Sequence, residues 1–258
     1  MSTRTKARSP ASRRGPARKP GVRELAAQAT RDSLLRAATR IFAKHGLAGG
    51  SIEQISKAAK SYDRMIYYYF GNKEGLYLAV LEETYRRFNE AESKLDLDLE
   101  QPIESMREVV RFVLNYYQAN PEFITLLNTE NLHRGKHIRK LTSAPQYSSP
   151  AIGVLAKLLA SGAAKGIFRG DVSARDLYLM IAGMGYFYQS NRFTLSAFLG
   201  ENLESPEARA HWEVFVSDAV LRTSLLKLPA VERTIPVQSA PEARMTSRQP
   251  TMKETTHG

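Results

Sequence analysis

Three consecutive tyrosines, Tyr67-Tyr68-Tyr69, stand inside a segment punctuated by helix-starting and helix-stopping residues, and that segment constrains the fold more than any other. Residues 46–76 read Gly-Leu-Ala-Gly-Gly-Ser-Ile-Glu-Gln-Ile-Ser-Lys-Ala-Ala-Lys-Ser-Tyr-Asp-Arg-Met-Ile-Tyr-Tyr-Tyr-Phe-Gly-Asn-Lys-Glu-Gly-Leu. Ser51 with Gln54 three residues later is a capping box that opens a short helix. Ile52, Ile55, Ala58 and Ala59 are its expected inward face. Lys60 to Tyr62 form a turn, and a very short helix follows from about Asp63 to Tyr69. Ile66 and Phe70, one turn apart, are its core contacts, and Tyr62, four residues before Ile66, could add another. Successive helical residues rotate by roughly 100°, so the three tyrosines cannot share one buried stripe. Tyr67 and Tyr68 turn away from the core and Tyr69 lies beside it. Outward tyrosines next to Lys73 suit a phosphate backbone better than bulk water. Lys73 also begins the next helix, where free N–H groups and the positive dipole end add to its charge. The plainer alternative makes the tyrosines ordinary core aromatics.

The remaining chain is a series of helical stripes. The first helix is expected from Thr30, as N-cap, to Gly46, with Leu34, Leu35, Ala38, Ile41 and Phe42 inward. Asn72 caps a fourth helix of about twenty residues through Leu76, Val80, Leu81, Tyr85 and Phe88. The acidic run Asp96-Leu-Asp-Leu-Glu100 marks a joint, and Pro102 suits the first turn of a fifth helix. Its stripe is Ile103, Met106, Val109, Val110, Val113, Leu114 and Tyr117. Pro121 interrupts, and another helix carries Phe123, Ile124, Leu126, Leu127 and Leu132. Residues 142–150 read as a loop, and further helices are expected at about 151–164, 173–190 and 206–228. No strand pattern and no internal repeat is visible, so the fold class is all-α.

Charge is distributed unevenly. The 258 residues carry a formal net charge of +11, of which residues 1–20 hold +7 and residues 21–75 hold +4, while residues 76–228 come out at −1. A polyanion-binding front on a balanced body is the implied arrangement. The chain has no cysteine, which excludes disulfides and cysteine-ligated zinc and fits a reducing compartment. The longest apolar run, Leu177 to Tyr188, is twelve residues, too short to span a bilayer. Residues 1–20 lack the apolar centre of a secretory signal. Their prolines and missing apolar face also argue against a transit peptide, leaving a disordered basic arm.

The stretch from Leu34 to Leu81 resembles the DNA-binding domain of TetR/AcrR-type bacterial transcription regulators. The resemblance rests on Ala37-Ala38-x-x-Ile41-Phe42-x-x-x-Gly46, on Ser51-Ile52-x-x-Ile55, and on Tyr67-Tyr68-Tyr69-Phe70-x-Asn72-Lys73-Glu74-x-Leu76. Further on, only the helix layout and Gly166-Ile-Phe-Arg-Gly-Asp-Val match. The resemblance implies an N-terminal three-helix domain containing a helix-turn-helix, whose third helix enters the major groove, followed by a helical ligand-binding and dimerisation domain. It implies Tyr67, Tyr68 and Lys73 as phosphate contacts and Ser51 as a cap close to the DNA backbone. The turn departs from the family, which usually has glycine, an apolar residue and serine where this chain has Lys60, Ser61 and Tyr62, and glycine at Arg64. Arg64 could take a guanine bidentately and Met65 a thymine methyl, or Arg64 could be a phosphate clamp or a surface charge. The expected DNA-contact set is Ser51, Lys60, Asp63, Arg64, Met65, Tyr67, Tyr68 and Lys73.

The expected organisation is therefore a basic arm at 1–23, a DNA-binding domain at 24–75, an effector-binding and dimerisation domain at 76–228, and a disordered tail at 229–258. A homodimer would bind a palindromic operator in double-stranded DNA. The expected interface between subunits uses Met180, Met184, Tyr188, Trp212, Phe215 and Ala219. A small-molecule effector is expected near Tyr116, Phe123, Leu127, Glu130, Asn131, His133, Tyr186 and Phe187. Glu130, His133 and His137 share a helical face at metal-binding spacing, but structural hydrogen bonding is the commoner use of such residues, and no metal or cofactor is expected. The chain offers no glycine-rich phosphate loop and no nucleophile elbow, so it is not expected to be an enzyme. The function expected is a ligand-responsive repressor in the bacterial cytoplasm, associated with the nucleoid. The alternatives are an architectural DNA-binding protein without an effector, or an activator of the same family.

Overall fold

A computed structural model describes residues 21–141 and 149–227. Residues 1–20 of the expected arm, residues 142–148 of the expected loop and the expected tail at 229–258 lie outside the described residues. Among the described residues the chain forms nine α-helices: α1 Val22–Gly49, α2 Ile52–Ala58, α3 Asp63–Phe70, α4 Lys73–Glu92, α5 Pro102–Ala119, α6 Pro121–Leu132, α7 Ser149–Ala164, α8 Ala174–Leu199 and α9 Pro206–Ser224. A single 3₁₀ turn spans Ile138–Lys140. None of these helices is long and apolar enough to cross a membrane.

The helix ends follow local chemistry. Ser51 and Gln54 close the capping box in both directions, at 3.1 and 3.0 Å. The Asn72 side chain accepts from the Gly75 N–H at 2.8 Å. Ser173 and Ser205 cap α8 and α9, with Pro206 in the first turn of α9. The first helix begins eight residues before the expected Thr30. Residues 22–29 are rich in good helix formers, and the Glu24 carboxylate closes back on the Gly21 N–H at 2.8 Å. Thr30 lies inside the helix, its hydroxyl donating to the Ala26 carbonyl at 2.9 Å. The helix kinks at Gly46, whose φ of 67° only glycine adopts freely. Helix α8 runs nine residues past the expected 190, since no breaker intervenes before Gly200. Helix α9 stops at Ser224 because Leu225 bridges to Phe168 across the turn after α7. The Arg169 N–H donates to the Ser224 carbonyl and the Leu226 N–H to the Ile167 carbonyl.

Two apolar clusters form the interior. One gathers Leu34, Leu35, Ala38 and Phe42 of α1, Ile55 of α2, Ile66 of α3, and Leu76, Tyr77, Val80 and Leu81 of α4. The other gathers Phe88, the α5 stripe from Met106 to Tyr117, Phe123, Leu155, Leu158, Phe168, Ile181 and Val220. Four residues expected on apolar stripes are on the outside: Ala58, Ile103, Leu132 and Tyr62 are exposed, the last at 71%. Tyr62 is the residue before the first turn of α3, so its side chain projects away from the stripe that Ile66 occupies.

Helix α4 passes through both clusters. The N-terminal core therefore extends beyond residue 75, where a domain boundary was expected. It also takes in Leu126 from α6. The Tyr77 ring meets Phe42 edge-on at 5.3 Å, and its hydroxyl donates to Glu130 of α6 at 3.1 Å.

Candidate nucleic-acid interface

Helix α3 is eight residues long, too short to stand alone, and tertiary contacts hold it in place. Ile66 is fully buried, and Met65, Tyr69 and Phe70 pack partly against the same core. The Tyr69 hydroxyl donates to the Ala27 carbonyl of α1 at 3.1 Å, and the Arg31 guanidinium lies 5.4 Å from the centre of the Phe70 ring. With that face pinned, Tyr67 and Tyr68 are 54% and 77% exposed. Their hydroxyls make no hydrogen bond within the described residues. Arg64 is exposed and stacks its guanidinium over Tyr62 at 5.2 Å, which holds its fork away from the core.

The turn before α3 is a Schellman motif: the Ser61 N–H donates to the Ser56 carbonyl at 2.9 Å and the Lys60 N–H to the Lys57 carbonyl at 3.1 Å. The motif requires a left-handed residue after the cap, and here that residue is Lys60, with φ 52°. The Ser56 hydroxyl donates to the Asp63 carboxylate, tying α2 to the first turn of α3. Behind α3 the corner into α4 is equally tight. A Cβ added to Gly75 would lie 2.1 Å from the Phe70 carbonyl oxygen. Lys73 is half-buried and its ammonium donates to the Ala48 carbonyl of α1 at 3.2 Å, which leaves two N–H bonds for another acceptor.

Of the expected DNA-contact residues, Ser51, Lys60, Asp63, Arg64, Tyr67 and Tyr68 are exposed, whereas Met65 and Lys73 are half-buried. Met65 packs on the N-terminal core, so less of it is free to meet a thymine methyl. Neighbouring Glu74 is ion-paired with Lys140, which holds its carboxyl below the ordinary value and balances its negative charge beside Lys73.

An exposed short helix seated on buried Ile66 and half-buried Phe70, preceded by a tight turn and flanked by cations, is the geometry of a helix-turn-helix reader. Residues 34–80 match the family described as bacterial regulatory proteins, tetR family, and residues 102–220 match the tetracyclin repressor-like C-terminal domain. The chain is 53% identical over 205 residues to the HTH-type transcriptional repressor NicS of Pseudomonas putida, covering 80% of this chain and 97% of that protein.

The chain belongs to the TetR family. As a TetR-family member it is a DNA-binding transcriptional regulator and not an enzyme. It is also similar to the HTH-type transcriptional repressor SCO4008 of Streptomyces coelicolor, at 28% identity over 61% of this chain and 77% of that one. Solved structures share its fold. One is the fatty acid degradation regulator FadR from Bacillus halodurans, at a TM-score of 0.57 and 21% identity, covering 79% of this chain and 97% of that one. Another is a TetR transcriptional regulator from Chloroflexus aurantiacus, at a TM-score of 0.57 and 18% identity, covering 79% of this chain and all of that one.

The residues expected around an effector divide between the interior and the surface of this TetR-family body. Glu130 is buried and fully committed: its carboxylate accepts from the Tyr77 hydroxyl, from His137 Nδ1 at 2.7 Å, and from the His137 and Ile138 N–H groups at 3.1 and 3.0 Å. Burial pushes its carboxyl up, but these donors outweigh burial and hold it below the ordinary value. It is a structural clasp between α4, α6 and the turn that follows α6. Asn131 and His133 point outward, because the chain turns at His133 and α6 does not continue. Phe187 is 56% exposed on the outer face of α8. Tyr116 and Phe123 join an aromatic cluster with Phe88 and Tyr117, and Leu127 packs against the same core. Tyr186 donates to Asn128.

The expected interface residues do share one face. Tyr188, Trp212 and Phe215 form a stack with ring centres 5.1 and 5.3 Å apart. Met180, Met184 and Ala219 are half-buried around it, and Leu179, Phe187 and Val214 stand exposed nearby. A residue that the sequence reading passed over is Glu92. It continues the α4 stripe of Leu81, Tyr85 and Phe88, and a carboxylate in that register is the signal that could have found it.

Proposed function

We propose that this regulator is a repressor that binds a palindromic operator as a two-fold dimer. Helix α3 of each protomer lies in the major groove. Tyr67, Tyr68 and Lys73 clamp phosphates on either side, with Lys60 and the Ser51 helix end close to the backbone. Arg64 reads a base edge. Residues 24–75 carry the reader helices, seated on the first half of α4, and the chain from there to residue 228 forms the body that dimerises and takes a small-molecule effector. The protein acts on nucleoid DNA in the bacterial cytoplasm. The observation that carries the reading is the split of α3, with Ile66 fully buried and Tyr67, Tyr68 and Arg64 exposed beside an N-terminal excess of positive charge. The names of the relatives as repressors support the sign of regulation. The α8–α9 face supports the dimer, because contiguous exposed apolar surface on a folded chain marks an interaction site. Effector release requires only that the ligand prefer the state with the lower DNA affinity.

The test is genomic footprinting followed by fluorescence anisotropy on the recovered sequence. A palindrome bound by two protomers is expected. Equal affinity for scrambled duplex of the same length favours an architectural protein instead, and loss of target transcription on deleting the gene favours an activator.

A further inference from the structure

We propose that the cleft closed by α4, α5, α7 and α8 is the effector site, and that Glu92 selects its ligand: a small, mostly apolar molecule carrying one nitrogen that donates a hydrogen bond. This deepens the effector-released reading above and rests on it. Phe88, Val113, Tyr117, Leu155, Tyr178 and Ile181 line the cleft, with Glu92 among them as its acidic residue. Glu92 is 6% exposed, and its Oε2 is buried without a hydrogen-bond partner among the described residues. Buried polar atoms are nearly always paired, and an unpaired buried carboxylate is among the costliest groups a fold can carry. Among the described residues no lysine, arginine or histidine lines the cleft.

The chemistry of the occupant follows. An anion would meet no cation there. A pure hydrocarbon would fill space but leave Oε2 unsatisfied. An N–H donor, charged or neutral, completes the carboxylate, and the Tyr117 and Tyr178 rings offer faces to a cation. Burial alone raises the Glu92 carboxyl to about 7, so a donor that favours the carboxylate displaces part of a proton near neutrality. The titratable groups facing it are the Tyr117 hydroxyl on α5 and the Tyr178 hydroxyl on α8, both raised by burial; α7 contributes none.

As it stands the cleft has room for about one water molecule, so a ligand must part the helices to enter. Glu92 is the last residue of α4 and Lys73 the first. The two ends of this one helix lie about 28 Å apart at 1.5 Å rise per residue. Movement at the Glu92 end therefore reaches the residues that seat the reader.

The probes are benzylamine, benzyl alcohol and benzoate, which share a ring and differ in the polar group. Thermal shift and calorimetry on the full chain at neutral pH, without DNA, are expected to show stabilisation by benzylamine, less by benzyl alcohol and none by benzoate. Glu92→Gln is expected to bind benzylamine at least tenfold more weakly while melting no lower than the wild type. In the wild type, the carbon-13 shift of the Glu92 carboxyl should titrate near neutrality, with a midpoint that falls when benzylamine is added. That measurement does not depend on any variant folding. Equal benzylamine affinity in Glu92→Gln, stabilisation by benzoate matching benzylamine, or a Glu92 resonance unmoved by benzylamine each overturns the assignment. If the chain fails to recognise an operator, the repressor reading falls, and these ligand measurements still decide the site.

Discussion

Lys60 occupies a backbone position that the turn geometry reserves for glycine, and two substitutions separate its strain from its charge. Its φ is 52°, and the Schellman hydrogen bonds on either side hold it there. A left-handed conformation costs a residue with a Cβ roughly 1–2 kcal/mol. Glycine removes that cost but adds unfolded-state freedom of about 0.4–1 kcal/mol. Lys60→Gly should therefore stabilise the protein by about 0.5–1 kcal/mol, raising the melting midpoint by about 1–4 °C at this chain length. Lys60→Ala keeps the strain and should leave the midpoint within about 1 °C of the wild type by the same scale. Both variants delete the charge. If Lys60 meets a phosphate, both should weaken operator binding equally, and the slope of log affinity against log salt should flatten by about 0.9 between roughly 50 and 200 mM salt. Scanning calorimetry gives the first pair of numbers and fluorescence anisotropy the second. A Lys60→Gly protein that melts at or below Lys60→Ala refutes the strain, and with it the turn as described.

Other substitutions probe the remaining contacts. Arg64→Ala should cost about 1–3 kcal/mol on the operator and relax preference at one base pair, whereas Lys73→Ala should weaken all sequences alike; a uniform loss for Arg64→Ala on mutated operators rules out base reading. Gly75→Ala forces a Cβ against the Phe70 carbonyl oxygen and should destabilise by about 1–3 kcal/mol in urea unfolding, with an unchanged midpoint counting against the α3–α4 corner. Glu130→Gln leaves buried donors poorly matched and should cost about 1–3 kcal/mol at neutral pH. The folded carboxyl of Glu130 is depressed, so its contribution is present above the ordinary value of 4.5 and fades as pH falls through the folded value; the gap between variant and wild type should close in acid. For Glu92 the sign reverses. Its raised carboxyl costs the wild type stability as pH climbs from about 4.5 past 7, so Glu92→Gln should gain on the wild type by about 3 kcal/mol over that window, followed by urea unfolding at each pH.

The all-helical class and the reader were legible because their signals are local. The Ser51 capping box, the Asn72 cap and the Ile66–Phe70 spacing act within one turn of helix, so the sequence carries them whole. The start of α1 was missed because Thr30 is an acceptable cap whose hydroxyl instead bonds back to the Ala26 carbonyl inside the helix. Tyr62 was assigned inward from spacing alone, although the residue preceding α3 does not share its rotation. Glu130, Asn131 and His133 are expected at the effector from their polarity, and polarity cannot tell a committed group from a free one. Glu130 is satisfied by donors from α4 and from the turn after α6, contacts that span up to 53 positions in the chain. Glu92 lacks such partners, and only the packing of four helices around it reveals that.

Tyr77 and Leu126 carry a consequence for how the molecule moves. Both are buried, the first in the seam beneath Phe42 and the second across from it on α6. A reader cut out at residue 75 would expose that seam to water and leave the Glu130 clasp without its tyrosine. Any rigid piece that carries α3 therefore includes α6 and the first half of α4 as well. Phe88, packed against Tyr116 of α5, is where α4 leaves that piece and enters the second core.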